Sequence, residues 1–311
     1  MNNTTKAQVV LRLQGITKRF GPVTANEGVS FDLHRGEVIA LLGENGAGKT
    51  TLMNILFGQY TADEGSVELF GQTLPPGAPR AALDAGVGMV HQHFTLADNL
   101  TVWENIVLGV DPLTAPRLKP AQAKARIRAL SDQFHLKVDP NAKVGRLTVG
   151  ERQRVEILKA LYRDAKILIL DEPTAVLTPQ EAEALFATLR EAIATGLSVI
   201  FISHKLHEVM AISHRVVVLR HGKLAAERAT NQTNREDLAA LMVGSEVSSP
   251  SIETAAPGAP LLSLRWVTTP DQGAAPGLKS LNLELAAGQI IGLAGVSGNG
   301  QAALSDLLSG L

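Results

Sequence analysis

Residues 43–50 read Gly43-Glu44-Asn45-Gly46-Ala47-Gly48-Lys49-Thr50, with Thr51 next, which is the spacing G-x-x-x-x-G-K-[ST]. That spacing suits the holding of phosphates. Glycines let successive backbone N–H groups curl into a nest, and a helix starting at Lys49 would point its positive end at the bound anion. Lys49 would reach the β- and γ-phosphates, and the Thr50 hydroxyl would ligand Mg²⁺. Further on, the apolar run 167–170 ends in Asp171-Glu172. Ligands sit at such carboxyl ends of parallel strands, so Asp171 would hold Mg²⁺ through water and Glu172 would orient and deprotonate an attacking water. A chance glycine turn and a solvated strand end are the bland alternatives. The context of strand, glycine loop and helix argues against the first, and the loop upstream argues against the second. The two motifs together predict a nucleoside triphosphate site.

Elements of the right type stand around these motifs. Short apolar runs at 9–13, 38–42, 87–91, 167–170, 198–202 and 216–219 are strand candidates, several apolar on both faces as covered central strands are. Thr178-Pro179-Gln180-Glu181 has capping-box spacing with Pro at the first helical position, and Gly196 would end that helix. Thr101-Val102-Trp103-Glu104 opens another helix in the same way. From His93 to Tyr162 no strong strand pattern occurs, which predicts a helical insertion in an α/β core.

Composition narrows the class. The 311 residues carry 29 Lys+Arg against 30 Asp+Glu, so no basic footprint marks nucleic acid as the main partner. With no cysteine, disulfide frameworks and thiolate chemistry are excluded. No apolar stretch approaches the roughly 18 residues of a spanning helix, and residues 1–8 lack a signal-peptide core. The expectation is a soluble or peripheral intracellular protein. His91 and His93 flank Gln92, and His204 and His207 stand three apart; neither pair has a third ligand at metal-site spacing.

The small, Pro/Gly-rich stretch 245–260 reads as a linker, after which the sequence repeats. At an offset of 252 residues, 36–43 aligns with 288–295. Gly46, Gly48, Leu52, Leu56 and Gly58 then fall on Gly298, Gly300, Leu304, Leu308 and Gly310. Gln301 and Ala302 stand where the first copy has Lys49 and Thr50, so the second loop should be catalytically poor. The expected layout is a first nucleotide-binding domain at 1–244 with its helical subdomain at about 93–162, a linker at 245–260, and the incomplete start of a second such domain at 261–311.

Residues 147–153, Leu147-Thr148-Val149-Gly150-Glu151-Arg152-Gln153, resemble the signature motif of the ATP-binding-cassette (ABC) ATPases. Thr148 stands for the usual Ser, Val149 for Gly and Glu151 for Gln. The resemblance covers nearly all of 9–243 and then restarts. It implies an α/β P-loop NTPase fold: a RecA-like core with an antiparallel β subdomain and a helical subdomain, followed by the start of a second such domain. It also implies ATP and Mg²⁺ as ligands. Gln92 matches the glutamine that ligands Mg²⁺ and water at the hinge to the helical subdomain. His204 matches the switch histidine that contacts the γ-phosphate. Phe20, 29 residues before Lys49, matches the aromatic that stacks on adenine, although a lone Phe is otherwise a core residue. Thr148, Val149, Gly150 and Glu151 match the stretch that meets the ATP of a partner cassette. The stretch 175–178 lacks the family's usual Asp.

The short, nearly uncharged linker speaks against the ribosome-acting class of double cassettes. The stretch from Thr50 to Asp171, a separation of 121 positions, carries neither sustained heptads nor cysteines, unlike the chromosome and repair ATPases. The wording of 89–94, 100–109, 149–161 and 298–301 resembles the double-cassette ATPases of bacterial nucleoside and simple-sugar importers, nearer the nucleoside branch. That resemblance implies an ATPase at the cytoplasmic face of the cell membrane. Its partners would be transmembrane permease subunits, indirectly a solute-binding protein, and a second nucleotide-binding domain or a second copy. Trp103, Ile106 and Leu108 are either core residues or permease contacts. Two readings stay beside nucleoside import: simple-sugar import, and a non-transport module acting on ribosomes or as a degenerate regulatory ATP-binder.

Overall fold

The computed structural model describes residues 8–92, 94–110, 120–244, 257–271, 276–295 and 299–310. The chain divides into two compact units, Met1–Val247 and Ser248–Leu311. In the first, the elements run β1 (Val9–Phe20), β2 (Val23–His34), β3 (Val38–Leu42), α1 (Lys49–Leu56), β4 (Glu64–Leu69), β5 (Gln72–Thr73), α2 (Pro79–Asp84) and β6 (Val87–Val90). Then come α3 (Val102–Val107), α4 (Pro120–Gln133), α5 (Val149–Tyr162), β7 (Ile167–Asp171), α6 (Pro179–Ala194), β8 (Ser198–Ile202), α7 (Leu206–Ile212), β9 (Arg215–Arg220), β10 (Lys223–Ala229) and α8 (Arg235–Val243).

A six-stranded sheet in the order β10-β9-β3-β8-β7-β6 carries the site. Its strands are parallel except for the β9–β10 hairpin. Both faces of β3 are covered, which is why its sequence is apolar throughout. Val38, Ala40 and Leu42 join one core with α5 and α6, while Ile39 and Leu41 join another with α1 and the second sheet. That second sheet is antiparallel, in the order β2-β1-β4-β5. Among the described residues, the insertion between β6 and β7 is helical, with one isolated bridge from Thr101 to Lys143.

One ion-pair cluster fastens the two sheets at the start of β3. Arg215 meets both Glu37 oxygens, at 2.8 and 3.0 Å, and also bonds Glu227 and the Asp32 carbonyl. Burial pushes the Glu37 carboxyl up, but Arg215 and the donors of His34 outweigh it and hold it below the usual carboxylate range. This contribution is present above the ordinary glutamate pKa and is lost as pH falls through the lowered value.

The sequence reading of strands needs extension. β1 runs on to Phe20, β6 stops at Val90, and β2, β4, β5 and β10 are further strands. β2 mixes exposed Glu27, Gly28 and Ser30 with buried Val29, Phe31 and Leu33, because only one of its faces is covered.

In the second unit, β11 (Pro260–Val267) pairs with β12 (Leu281–Ala286), and α9 (Gln301–Ser309) follows a glycine N-cap, Gly300, at φ 88°. Gly48 caps α1 at φ 95°, so the two copies share that turn. The counterpart of β3 differs. Residues 289–295 form no strand, and Ile290 is 97% exposed. β3 is a strand because β8 and β9 flank it; among the described residues of the second unit no such strand is present. Most of the expected linker (245–256), and also His93 and Gly298, lie outside the described residues. No helix among the described residues is long and apolar enough to cross a membrane.

Candidate functional site

The loop between β3 and α1 is shaped by its glycines. Gly43, Gly46 and Gly48 have φ of 149°, 84° and 95°, a region L side chains rarely adopt. A Cβ on Gly43 would lie 2.3 Å from the Leu219 carbonyl, and one on Gly48 would lie 2.2 Å from that of Ala25. Glu44, Asn45, Gly46 and Thr50 are exposed, Ala47 is buried, and Thr51 lies between. No side chain caps α1, so its first-turn N–H groups remain available to an anion. Lys49 Nζ donates to the carbonyls of Gly43 at 2.7 Å and Glu44 at 3.0 Å, which holds the ammonium at the mouth of the loop. Burial lowers its pKa, against the opposing pull of Glu172 and Asp171. Behind the loop, fully buried Asn26 donates to the Gly48 carbonyl at 3.2 Å.

At the carboxyl end of β7 the structure brings three predicted residues together. Glu172 lies 3.0 Å from His204 Nδ1 through Oε1 and accepts from Gln92 Nε2 at 3.4 Å through Oε2. Its backbone sits at φ 46°, unusual for a residue with a Cβ, and its N–H donates to Ile202 O at 2.9 Å. Burial first, then the neighbouring Glu172, raises the Asp171 pKa, with His91 and Lys49 opposing. A raised folded pKa means ionised Asp171 works against the fold: stability is greater below the ordinary aspartate pKa and falls as pH rises through the raised value. Asp171→Asn is therefore expected to raise the melting temperature of the ligand-free protein at neutral pH, and the gain should shrink on acidification. An unchanged or lowered value at pH 7 would contradict this.

Phe20 is no core residue. It ends β1 with 45% exposure, its ring set edge-on to Tyr60 at 5.6 Å, with Lys18 Nζ 5.3 Å from the centroid. Asp63 fixes this end of β1 by accepting from Arg19 N at 2.6 Å and Lys18 Nζ at 3.0 Å.

The signature stretch starts α5. Thr148 is the N-cap, and Glu151 closes a capping box: its Oε2 accepts from Thr148 N at 2.8 Å and lies 3.0 Å from Thr148 Oγ1. Thr148 and Val149 are exposed; Gly150 is buried where a Cβ would lie 2.4 Å from Glu181 Oε1. Among the described residues, no hydrogen bond or ion pair joins 148–151 to 43–51. The candidate permease contacts separate clearly. Ile106 is core, Trp103 packs partly buried under Lys124, and Leu108 is 59% exposed. Leu108 lines a groove of about 270 Å³ with Met89, His91, Thr95 and Lys159.

Three residues in this neighbourhood carry no local sequence signal: Asn26, Tyr60 and the buried Glu208 described below. Each is recognised through a partner distant in sequence: Asn26 through Gly48, Tyr60 through Phe20 and Glu208 through Thr174.

An uncapped helix after a glycine loop, on a largely parallel sheet in which β7, one strand removed from β3, ends in two carboxylates, defines a P-loop nucleotide-binding domain. The ABC transporter family pattern matches residues 26–175. The chain is 44% identical to the glucose import ATP-binding protein TsgD13 of Haloferax volcanii, over 97% of this chain and 60% of that protein. It is also 44% identical to the guanosine import ATP-binding protein NupO of Bacillus subtilis, over 98% of this chain and 60% of that protein. With the nucleoside import ATP-binding protein NupA of Lactococcus lactis the identity is 43%, over 98% and 60%. A solved ATP-binding cassette of an ABC transporter in its ADP conformation superposes with TM-score 0.66 at 27% identity, covering 76% of this chain and 95% of that one. A nucleotide-free cassette gives 0.63 at 27%, covering 71% and 91%. The chain carries an ATP-binding domain of the ABC transporter family, and it spans about 60% of the length of the curated relatives it matches.

Proposed function

We propose that the first unit binds ATP with Mg²⁺ and hydrolyses it to energise an importer, with nucleosides the preferred cargo. The observation that carries this reading is the convergence of Gln92 and His204 on Glu172 beside Asp171. Both glycine approaches in the loop and the uncapped start of α1 fit a triphosphate. Thr50, Gln92 and Asp171 would hold Mg²⁺, which supplies charge neutralisation at the phosphate oxygens. Lys49 binds the β- and γ-phosphates, Phe20 stacks on the adenine, and His204 contacts the γ-phosphate. Glu172, oriented by its two neighbours, takes the proton of the attacking water.

Thr148, Val149, Gly150 and Glu151 face a partner rather than their own loop. The exposure of Thr148 and Val149 at the start of α5 and the lack of a bond from 148–151 to 43–51 among the described residues support a site completed by a second nucleotide-binding domain or a second copy. Two copies pairing would make the hydrolysis rate rise faster than linearly with concentration. Linear turnover by a demonstrated monomer would contradict the trans arrangement. The groove beside Leu108 fits a short segment of a transmembrane permease, which would place the protein peripherally on the cytoplasmic face of the membrane.

Guanosine and nucleoside importers at 43–44% identity support the nucleoside reading, against 37–40% for the ribose and galactose group; the glucose relative at 44% keeps simple sugars as the second reading. Reconstitution with permease and solute-binding protein separates them. Nucleosides should stimulate ATP hydrolysis, whereas stimulation by sugars alone would overturn the cargo assignment.

A further inference from the structure

We propose that Glu208 is the positioning residue that sets His204 against Glu172; the inference rests on the ATPase reading above. Glu208, on α7, is 2% exposed. Its Oε2 accepts from Thr174 Oγ1 at 2.6 Å and Ser203 Oγ at 3.1 Å, and its Oε1 lies 3.2 Å from Lys205 Nζ. Thr174 stands two residues after Glu172, while Ser203 and Lys205 flank His204. Lys205 Nζ also donates to Thr174 O at 2.9 Å, and Lys205 N to Ser203 Oγ at 3.0 Å. The turns that carry Glu172 and His204 are thus bonded to one buried carboxylate.

A carboxylate suits this place because it has about four lone-pair sites and can accept from several donors at once. Burying it is costly unless those donors are present, and removing it leaves the buried Thr174 and Ser203 hydroxyls without this acceptor. Among the described residues, Glu208 bonds neither Glu172 nor His204 directly; its partners are Thr174, Ser203 and Lys205. It acts through the turns, holding the 3.0 Å approach of His204 to Glu172 ready before the reaction begins. A misplacement of about 1 Å in such a pair can cost about 10²-fold in rate.

The test uses the full chain, with kcat from phosphate release, ATP Kd from a fluorescent ATP analogue, and melting temperature. Glu208→Gln should lower kcat by about 10- to 10²-fold while Kd stays within about twofold. In a His204→Ala background the same substitution should change kcat by less than about threefold, because its route is already gone. Losses that multiply in the two backgrounds, or kcat, ATP affinity and melting temperature falling together, would overturn the proposal in favour of a merely structural role. If Glu208→Gln does not fold, Thr174→Val removes one donor and enters the same cycle. Should the wild type show no Lys49-dependent hydrolysis, the ATPase reading fails by itself. A crystal structure of the Glu208→Gln or Thr174→Val variant then decides the inference: opening of the His204–Glu172 approach supports it, and retention near 3.0 Å overturns it.

Discussion

Glu172→Gln is expected to leave ATP affinity intact and to lower turnover by roughly 10²–10⁴-fold, the range of a lost general base. The amide keeps the size of the side chain and still offers one oxygen, to either Gln92 or His204. It lacks the basicity needed to take a proton from water. Lys49 is held in the phosphate loop by the carbonyls of Gly43 and Glu44, and no hydrogen bond joins it to Glu172 among the described residues. Binding and hydrolysis should therefore separate in a titration with Mg-ATP followed by single-turnover kinetics. Near wild-type turnover would show that the base lies elsewhere.

Gly48→Ala should cost about 3 kcal/mol of stability and most of the nucleotide affinity. The new methyl would meet Ala25 O at 2.2 Å and Asn26 Nδ2 at 2.6 Å, on a backbone at φ 95°. Backbone is the obstacle, so no side-chain rotation relieves it. The loop must move, and the N–H groups that it aims at the phosphates move with it. A urea melt measures the first effect and an ATP titration the second. Wild-type values for both would mean that the loop geometry is not required.

Much of this was legible in the residues. β3 and β8 could be read because both faces of each are covered, so β3 is apolar throughout and β8 is apolar after Ser198. The capping boxes at Thr101 and Thr178 could be read because their chemistry is complete within four residues. Glu151 has a similar local explanation: it departs from the family's glutamine, yet it serves the capping box with Thr148. β2 and β10 were missed because a half-covered strand with polar residues on its open face looks like a loop. Residues whose meaning lies in a distant partner were illegible, as Asn26 shows with Gly48 and Glu208 with Thr174. The repeat aligns 288–295 with the segment that leads into β3, yet an apolar run becomes a strand only where neighbours pair with it.

The central claim is that Gly43–Thr51 holds Mg-ATP. Thermal unfolding with and without Mg-ATP, in the wild type and in Lys49→Ala, tests it most directly. At a hundredfold excess over Kd, ligand binding should stabilise the wild type by about 2.7 kcal/mol, a rise of roughly 5–10 °C for a unit of this size, and Lys49→Ala should lose most of it. A wild-type melting temperature unmoved by saturating Mg-ATP and matched by the Lys49→Ala variant would contradict the account.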